Sequence, residues 1–329
     1  MVVNNSFGEI LRTTIFGASH AEEVGVMMEG VPSGIALGTD VFTSDLDRRR
    51  PALRGETPRR EEDMPIVEGL DADGVTTGGI IRISFKNRNT RSGDYSKFVE
   101  HPRPSHADLV QRKKYGEGYD ISGGGMSSGR MTVALVSAGV VAKQILGDIT
   151  FSTHLVEVGG CRDTEQFESI IANALTEGDS VGGVVECRVQ GVDSGLGEPF
   201  FDSVESVASH LLFSVPGVKG VAFGDGFDSA SKRGSERNDM IVDGSGRTLT
   251  NNEGGVNGGI SNGNDIVVRV AVKPTPSISK PQNTYNFATG CVEPLVVGGR
   301  HDACIARRAM VVVEAMVALA LADLKLRAK

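Results

Sequence analysis

The chain has 329 residues, 39% of them hydrophobic, enough to bury a full core in one or two domains. Its formal charge of −8 argues against a general attraction to nucleic acid, and the absence of Trp excludes an indole sandwich around any flat ligand. Glycine is abundant at 43 residues, well above the roughly 7% average, yet without the period of collagen or the low complexity of disorder.

The first residues, with Asn4, Asn5 and Glu9, lack the charged start and apolar core of a secretion signal. His20 then sits among small residues in Phe16-Gly17-Ala18-Ser19-His20-Ala21. An imidazole titrates near ~6.5, so it can give or take a proton at neutral pH. Next comes an arginine cluster, Arg48, Arg49, Arg50, Arg54, Arg59 and Arg60, broken by Pro51 and Pro58 and closed by Glu61, Glu62 and Asp63. The prolines predict a loop that sets each guanidinium separately. A self-paired surface loop is the plainer reading, but the planar fork of arginine also suits carboxylate and phosphate oxygens.

Residues 79–85 read as a strand, and a second histidine follows in Arg103-Pro104-Ser105-His106-Ala107-Asp108. The most informative stretch is Ser122-Gly123-Gly124-Gly125-Met126-Ser127-Ser128-Gly129-Arg130, which runs glycines and hydroxyls straight into a helical pattern. Met131, Leu135, Ala138, Ala142 and Ile145 recur at helical spacing, and Gly147 supplies a stop. Three glycines let the backbone approach a ligand, and the helix start presents unpaired N–H groups, so the junction can hold an anion. A serine-capped glycine turn explains the same residues without a ligand.

Further on, residues 151–158 and 184–189 read as strands, with amphipathic helices over 164–175 and 204–212. Glycine is dense between residues 217 and 263, where turns or a ligand would account for it. Ile266, Val268, Val270 and Val272 alternate as a strand and lead into the proline-stiffened Lys273-Pro274-Thr275-Pro276. Asp302 precedes a long helical segment and reads locally as an N-cap carboxylate. That segment, interrupted by Glu314 and ending in Lys325, Arg327 and Lys329, is too short in its apolar run to span a bilayer. Cys161, Cys187, Cys291 and Cys304 lack the close spacing of a zinc or redox motif, which points to no metal and to a reduced cytoplasmic protein. Pattern alone stops at α+β or α/β.

These motifs, in this order, resemble those of chorismate synthase. The resemblance rests on Gly17-Ala18-Ser19-His20, Arg48-Arg49-Arg50-Pro51, Asn89 to Ser96, Arg103 to Asp108 and Ser122 to Arg130. It continues through Gly195 to Pro199, Gly224 to Phe227, Asn257 to Gly263, Lys273-Pro274-Thr275 and Gly299 to Cys304, so it spans essentially the whole chain. It implies a single domain over residues 1–329, an α+β fold built as a β-α-β sandwich with helices between sheets, and a homotetramer. It also implies a trans-1,4-elimination of phosphate from 5-enolpyruvylshikimate 3-phosphate to give chorismate, with reduced FMN and no net redox change. NADPH as reductant, or an external flavin reductase, is left open.

By the resemblance, His20 lies near the departing phosphate, His106 near the flavin, and Asp302 acts where the ring hydrogen leaves, with Ser19 and Ser127 positioning these groups. Arg49, Arg54 and Arg130 would take the substrate anions. FMN contacts would fall on Met126, Ser127, Ser128, Pro216, Gly217, Gly258, Lys273, Pro274, Thr275, Pro276, Ser277 and Arg300. Several positions depart from the family pattern: Ala18 and Ala21 stand where members mostly carry Glu and Gly, Ala52 and Ser105 replace glycines, and Met126 replaces a common arginine. Two rival readings use fewer of these features. A small-molecule kinase with a Gly/Ser-rich phosphate loop leaves the arginines, both histidines and Asp302 unexplained, and an RNA-binding module conflicts with the acidic balance.

Overall fold

The computed structural model describes residues 5–57, 61–88, 92–299 and 301–328, with the backbone alone at 92–94. Arg59, Arg60 and Arg300 lie outside the described residues.

Alternation of apolar and polar residues builds the first sheet from β1 (Ser6–Phe7), β2 (Arg12–Gly17), β3 (Glu23–Glu29), β4 (Ile66–Glu68) and β5 (Ile81–Lys86). The strands lie in the order β1-β2-β3-β5-β4, and each pair is antiparallel. Val24, Val26 and Met28 stand opposite Phe85, Ile83 and Ile81, and all six are buried, so one face of this sheet is core.

The second half supplies β6 (Thr150–Val158), β7 (Gly183–Gln190), β8 (Val218–Phe223), the short hairpin β9 (Val256–Asn257) and β10 (Ile260–Ser261), then β11 (Ile266–Val272) and the hairpin β12 (Gln282–Asn286) and β13 (Cys291–Leu295). Four of these strands form a second antiparallel sheet, ordered β6-β7-β11-β8. Here Val185, Cys187 and Val189 face Val270, Val268 and Ile266 across the ladder, again all buried.

The helices are α1 (Thr43–Arg49), α2 (Asp108–Tyr115), α3 (Thr132–Leu146), α4 (Phe167–Thr176), α5 (Val204–Ser214), α6 (Gly234–Arg237) and α7 (Ala306–Arg327). Two of them fill the space between the sheets: α3 lies on β2, β3 and β5, α7 lies on β6, β7 and β11, and α3 packs against α7. The result is the sandwich expected, with two helical layers between two sheets. Gly139 makes the close helix contact possible, since a Cβ there would fall 2.2 Å from that of Ala315. Nearly every residue of α7 from Val311 to Leu324 is buried, which is why its apolar residues run all round the helix. Its Glu314 is held by Arg48, Lys143 and Thr153 from α1, α3 and β6, so a charge in the core is fully paired.

Gly129–Leu146 is long and apolar enough to cross a membrane by composition, and 72% of that window is buried inside this fold. One expectation needs correction. Arg48 and Arg49 form the last turn of α1 rather than a loop, and the helix stops there because Arg50, extended at φ −65° and ψ 143°, precedes Pro51.

Candidate active site

Gly123, Gly124 and Gly125 all have positive φ, at 62°, 87° and 55°, so the chain curls back on itself before α3 begins. Ser128 then caps the next turn, its hydroxyl accepting from Arg130 N at 3.2 Å. A Cβ on Gly123 would meet Ser19 Oγ at 2.5 Å and His20 Nε2 at 2.8 Å, so glycine is what lets the loop after β2 sit on this turn. Ser19 N donates to Gly125 O at 3.2 Å, and Ser128 Oγ lies 3.2 Å from Ser19 Oγ.

This turn forms one wall of a cavity of about 640 Å³, within the ~300–1,000 Å³ typical of small-molecule and cofactor sites. The other walls come from the end of α1, the segment before α2, the link from α5 to β8, the loop after β11 and the approach to α7. Among the described residues, seven cationic side chains and four carboxylates line it, a surplus of three positive charges in a chain whose formal charge is −8. That concentration favours an anionic ligand.

At its centre is a buried trio. Asp63 Oδ2 accepts from Arg49 Nη1 at 2.9 Å, and Asp63 Oδ1 accepts from Arg130 Nη1. Arg49 Nε also donates to Thr132 Oγ1 at 3.0 Å and Arg130 Nε to Asn87 Oδ1 at 2.8 Å. Arg130 Nη2 is buried and has no partner among the described residues. An unsatisfied donor on a cavity-lining guanidinium invites a ligand oxygen.

His106 occupies another wall. Its Nδ1 lies 3.0 Å from Pro104 O, a carbonyl that can only accept, so Nδ1 carries the proton. Nε2 is therefore the lone-pair nitrogen, and the Ser277 hydroxyl donates to it at 2.6 Å. Burial first, and then the neighbouring Arg103 guanidinium, pull the His106 pKa down to about 4, so the imidazole is neutral at physiological pH. Ser105, just before it, has φ 58°, which explains why glycine suits that position in the resembling family. Its carbonyl accepts from Lys273 Nζ at 2.9 Å. Arg103 is itself clamped by Asp108, at 2.8 and 2.7 Å, and lies over the Phe98 ring at 4.6 Å.

Asp302 does not cap α7, whose N-cap is Ile305. Instead its carboxylate takes Thr57 N at 3.1 Å and Arg308 Nη1 at 3.0 Å, which fixes it on the cavity wall. Across the flavin-side candidates, Met126, Ser127, Ser128, Pro216, Gly217, Lys273, Pro274, Thr275, Pro276 and Ser277 all line the cavity. Burial, and then Lys219, lower the pKa of Lys273. Thr275 Oγ1 and Arg50 Nε, on two other lining residues, are likewise buried without a partner among the described residues.

The structure thus gathers His106, Asp302, Ser127, Arg49 and Arg130 around one space. His20 stands just behind it, edge-on to the lining residue Tyr95 at 5.3 Å, with Ser19 alongside. Arg54 is exposed and off the wall, where its carbonyl accepts from Arg307. Gly258 is exposed at the tip of the β9–β10 hairpin, with φ 61°. Arg48 turns away to Glu314, so only Arg49 and Arg50 of the described arginine cluster reach the cavity. Sequence reasoning missed Asp63, Arg103, Lys219, His301 and Arg308. Arg103 and Arg308 had a signal, each standing five or six residues from the aspartate it binds.

A family model described as chorismate synthase matches residues 11–326. A chorismate synthase from Chitinophaga pinensis is 53% identical over 323 residues, covering 98% of this chain and 96% of the relative. One from Methanobrevibacter smithii is 40% identical over 353 residues, covering 98% and 96%. A crystal structure of a chorismate synthase superposes with a TM-score of 0.73 at 26% identity, covering 98% of this chain and 93% of the other.

Proposed function

Because the chain belongs to the chorismate synthase family, the lyases that form chorismate in the shikimate pathway, we propose that the cavity takes 5-enolpyruvylshikimate 3-phosphate beside reduced FMN and expels phosphate. The observation that carries this reading is that two buried donors on different walls of one positively charged cavity lack partners among the described residues: Arg130 Nη2 among the substrate candidates and Thr275 Oγ1 among the flavin candidates. The kinase alternative has no support from the relatives, and the positive surplus lies inside a cavity rather than on a face that could track RNA.

Arg130 would hold an anionic oxygen of the substrate through Nη2 and Arg49 would add its charge beside it, each already oriented by its own hydrogen bonds, so little side-chain entropy is lost on binding. Lys273 and Lys219 would answer the flavin phosphate, and Gly217, Ser127, Ser128 and the prolines at 274 and 276 would leave small-residue walls for the ring system. Reduced flavin, when bound, supplies electron density to the breaking C–O bond without net redox change.

The protein's part is proton and charge handling. His106 starts neutral, and anions arriving beside it favour its charged form, so Nε2 can take a proton once the Ser277 hydroxyl turns away. His20, packed on the glycine turn behind the cavity wall, would offset the charge of the departing phosphate when protonated. Asp302, fixed by Thr57 and Arg308, stands ready where the C6 hydrogen leaves. Arg300 and Gly258 belong to the flavin set by resemblance, as does Arg54 to the substrate set.

We read the protein as a cytoplasmic homotetramer, supported by its four unpaired cysteines and by the apolar face that Tyr285, Phe287, Val292 and Val296 expose around the β12–β13 hairpin. The test is anaerobic turnover of the ester with photoreduced FMN by wild type, His20→Ala and His106→Ala. Chorismate from wild type, with losses of about 10²-fold or more in each variant, is the expected result. Wild-type rates in both variants would remove the histidines from the reaction. A parallel run with oxidised FMN and NADPH decides whether the chain reduces its own flavin or needs a reductase.

A further inference from the structure

We propose that Asp63 is a positioning residue that aims the anion-binding guanidiniums, holding Arg49 and Arg130 so that Arg130 Nη2 alone is left for the substrate. The inference rests on the reading of this cavity as a site for an anionic ester.

Three observations carry it. Asp63 bridges both arginines through separate carboxylate oxygens, and the three side chains are only 2%, 5% and 4% exposed. Every nitrogen of the Arg49 side chain has a partner, and so do Nε and Nη1 of Arg130, which leaves Nη2 as the remaining donor of the pair. Asp63 also has φ 46°, a left-handed backbone uncommon outside glycine, and its segment is pinned from outside because Arg50 Nη2 donates to the carbonyl of Glu62. A carboxylate with no task but charge balance needs neither the bridging geometry nor the backbone turn.

Two expectations for the variants point in opposite directions. If Asp63 only balances charge, its removal adds one positive charge beside the anion site, and anions bind more tightly. If Asp63 sets direction, its removal frees both guanidiniums and anions bind more weakly in spite of that added charge.

The test is calorimetric binding of 5-enolpyruvylshikimate 3-phosphate without reduced flavin, so that nothing turns over, with inorganic phosphate titrated in parallel. Asp63→Asn is expected to weaken ester binding tenfold or more. Under turnover conditions KM should rise much more than kcat falls. Asp63→Glu keeps the charge but lengthens the side chain, so it serves even if the Asn variant does not fold. It should bind the ester three- to tenfold more weakly than wild type. Equal or tighter binding by either folded variant overturns the proposal. Wild type that binds phosphate but not the ester refutes the substrate reading alone, and the phosphate titrations of the variants then still decide the role of Asp63. Wild type that binds neither anion overturns both.

Discussion

Acidifying the ligand-free protein should leave His106 uncharged well below the pH at which an exposed imidazole takes its proton. Burial and then Arg103 move its pKa from 6.5 to about 4, with Lys273 adding to the effect. That displacement is worth at most about 3 kcal/mol. The sign follows from proton binding: the unfolded chain protonates His106 through 6.5, while the folded chain resists until about 4. Its contribution to stability is therefore complete above pH 6.5 and is lost as the pH falls towards about 4. His106→Gln should flatten this part of the stability profile. Ser277→Ala should raise the His106 pKa, because the hydroxyl's donation to Nε2 favours the neutral ring. Long-range ¹H–¹⁵N spectra of the imidazole nitrogens, with urea unfolding at several pH values, measure both quantities. Added ester should then move the titration upward. A ligand-free ring that titrates near ~6.5, or that carries its neutral proton on Nε2, would refute the reasoning.

Gly139→Ala should destabilise the fold by about 2 kcal/mol in urea unfolding, because its Cβ would fall 2.2 Å from that of Ala315 and force α3 away from α7. For Glu314, burial alone would raise the pKa, but Arg48 and Lys143 outweigh it and hold the carboxyl at about 2. Its stabilisation is thus complete above 4.5 and lost as the pH falls through about 2; Glu314→Gln should cost about 3 kcal/mol at pH 7 and reduce the acid sensitivity. Thr275→Val removes a buried hydroxyl that lacks a partner, so the ligand-free melting temperature should hold or rise while FMN affinity, read from flavin fluorescence, falls about fivefold. Ser105→Gly relieves a φ of 58° and should raise stability by about 0.5 kcal/mol.

Local rules made much of this fold legible. The alternation at Ile266, Val268, Val270 and Val272 became β11, and the helical spacing from Met131 to Ile145, stopped at Gly147, became α3. Residues 79–85, 151–158 and 184–189 met β5, β6 and β7 within a residue or two. Long-range contacts decided what sequence could not. Arg48 and Arg49 are neighbours with the same chemistry, yet Arg48 reaches Glu314 on α7 and Arg49 reaches Asp63 on the cavity wall. Asp63 itself read as the acidic end of a self-pairing run, and nothing local marked its bridge to Arg130, 67 residues away. Asp302 misled in the opposite way: its position before a helix suggests a cap, but the carboxylate turns to Thr57 and Arg308. His106 and its partner Ser277 are 171 residues apart, so the neutral tautomer could be read only from the folded chain.

The most direct test of the central claim is the stoichiometry of a single anaerobic reaction with reduced FMN, following phosphate, chorismate and the flavin spectrum together. The account predicts one chorismate for each phosphate, with the flavin still reduced when the ester is exhausted. Phosphate release without chorismate, or reduced flavin consumed in proportion to product, would contradict it.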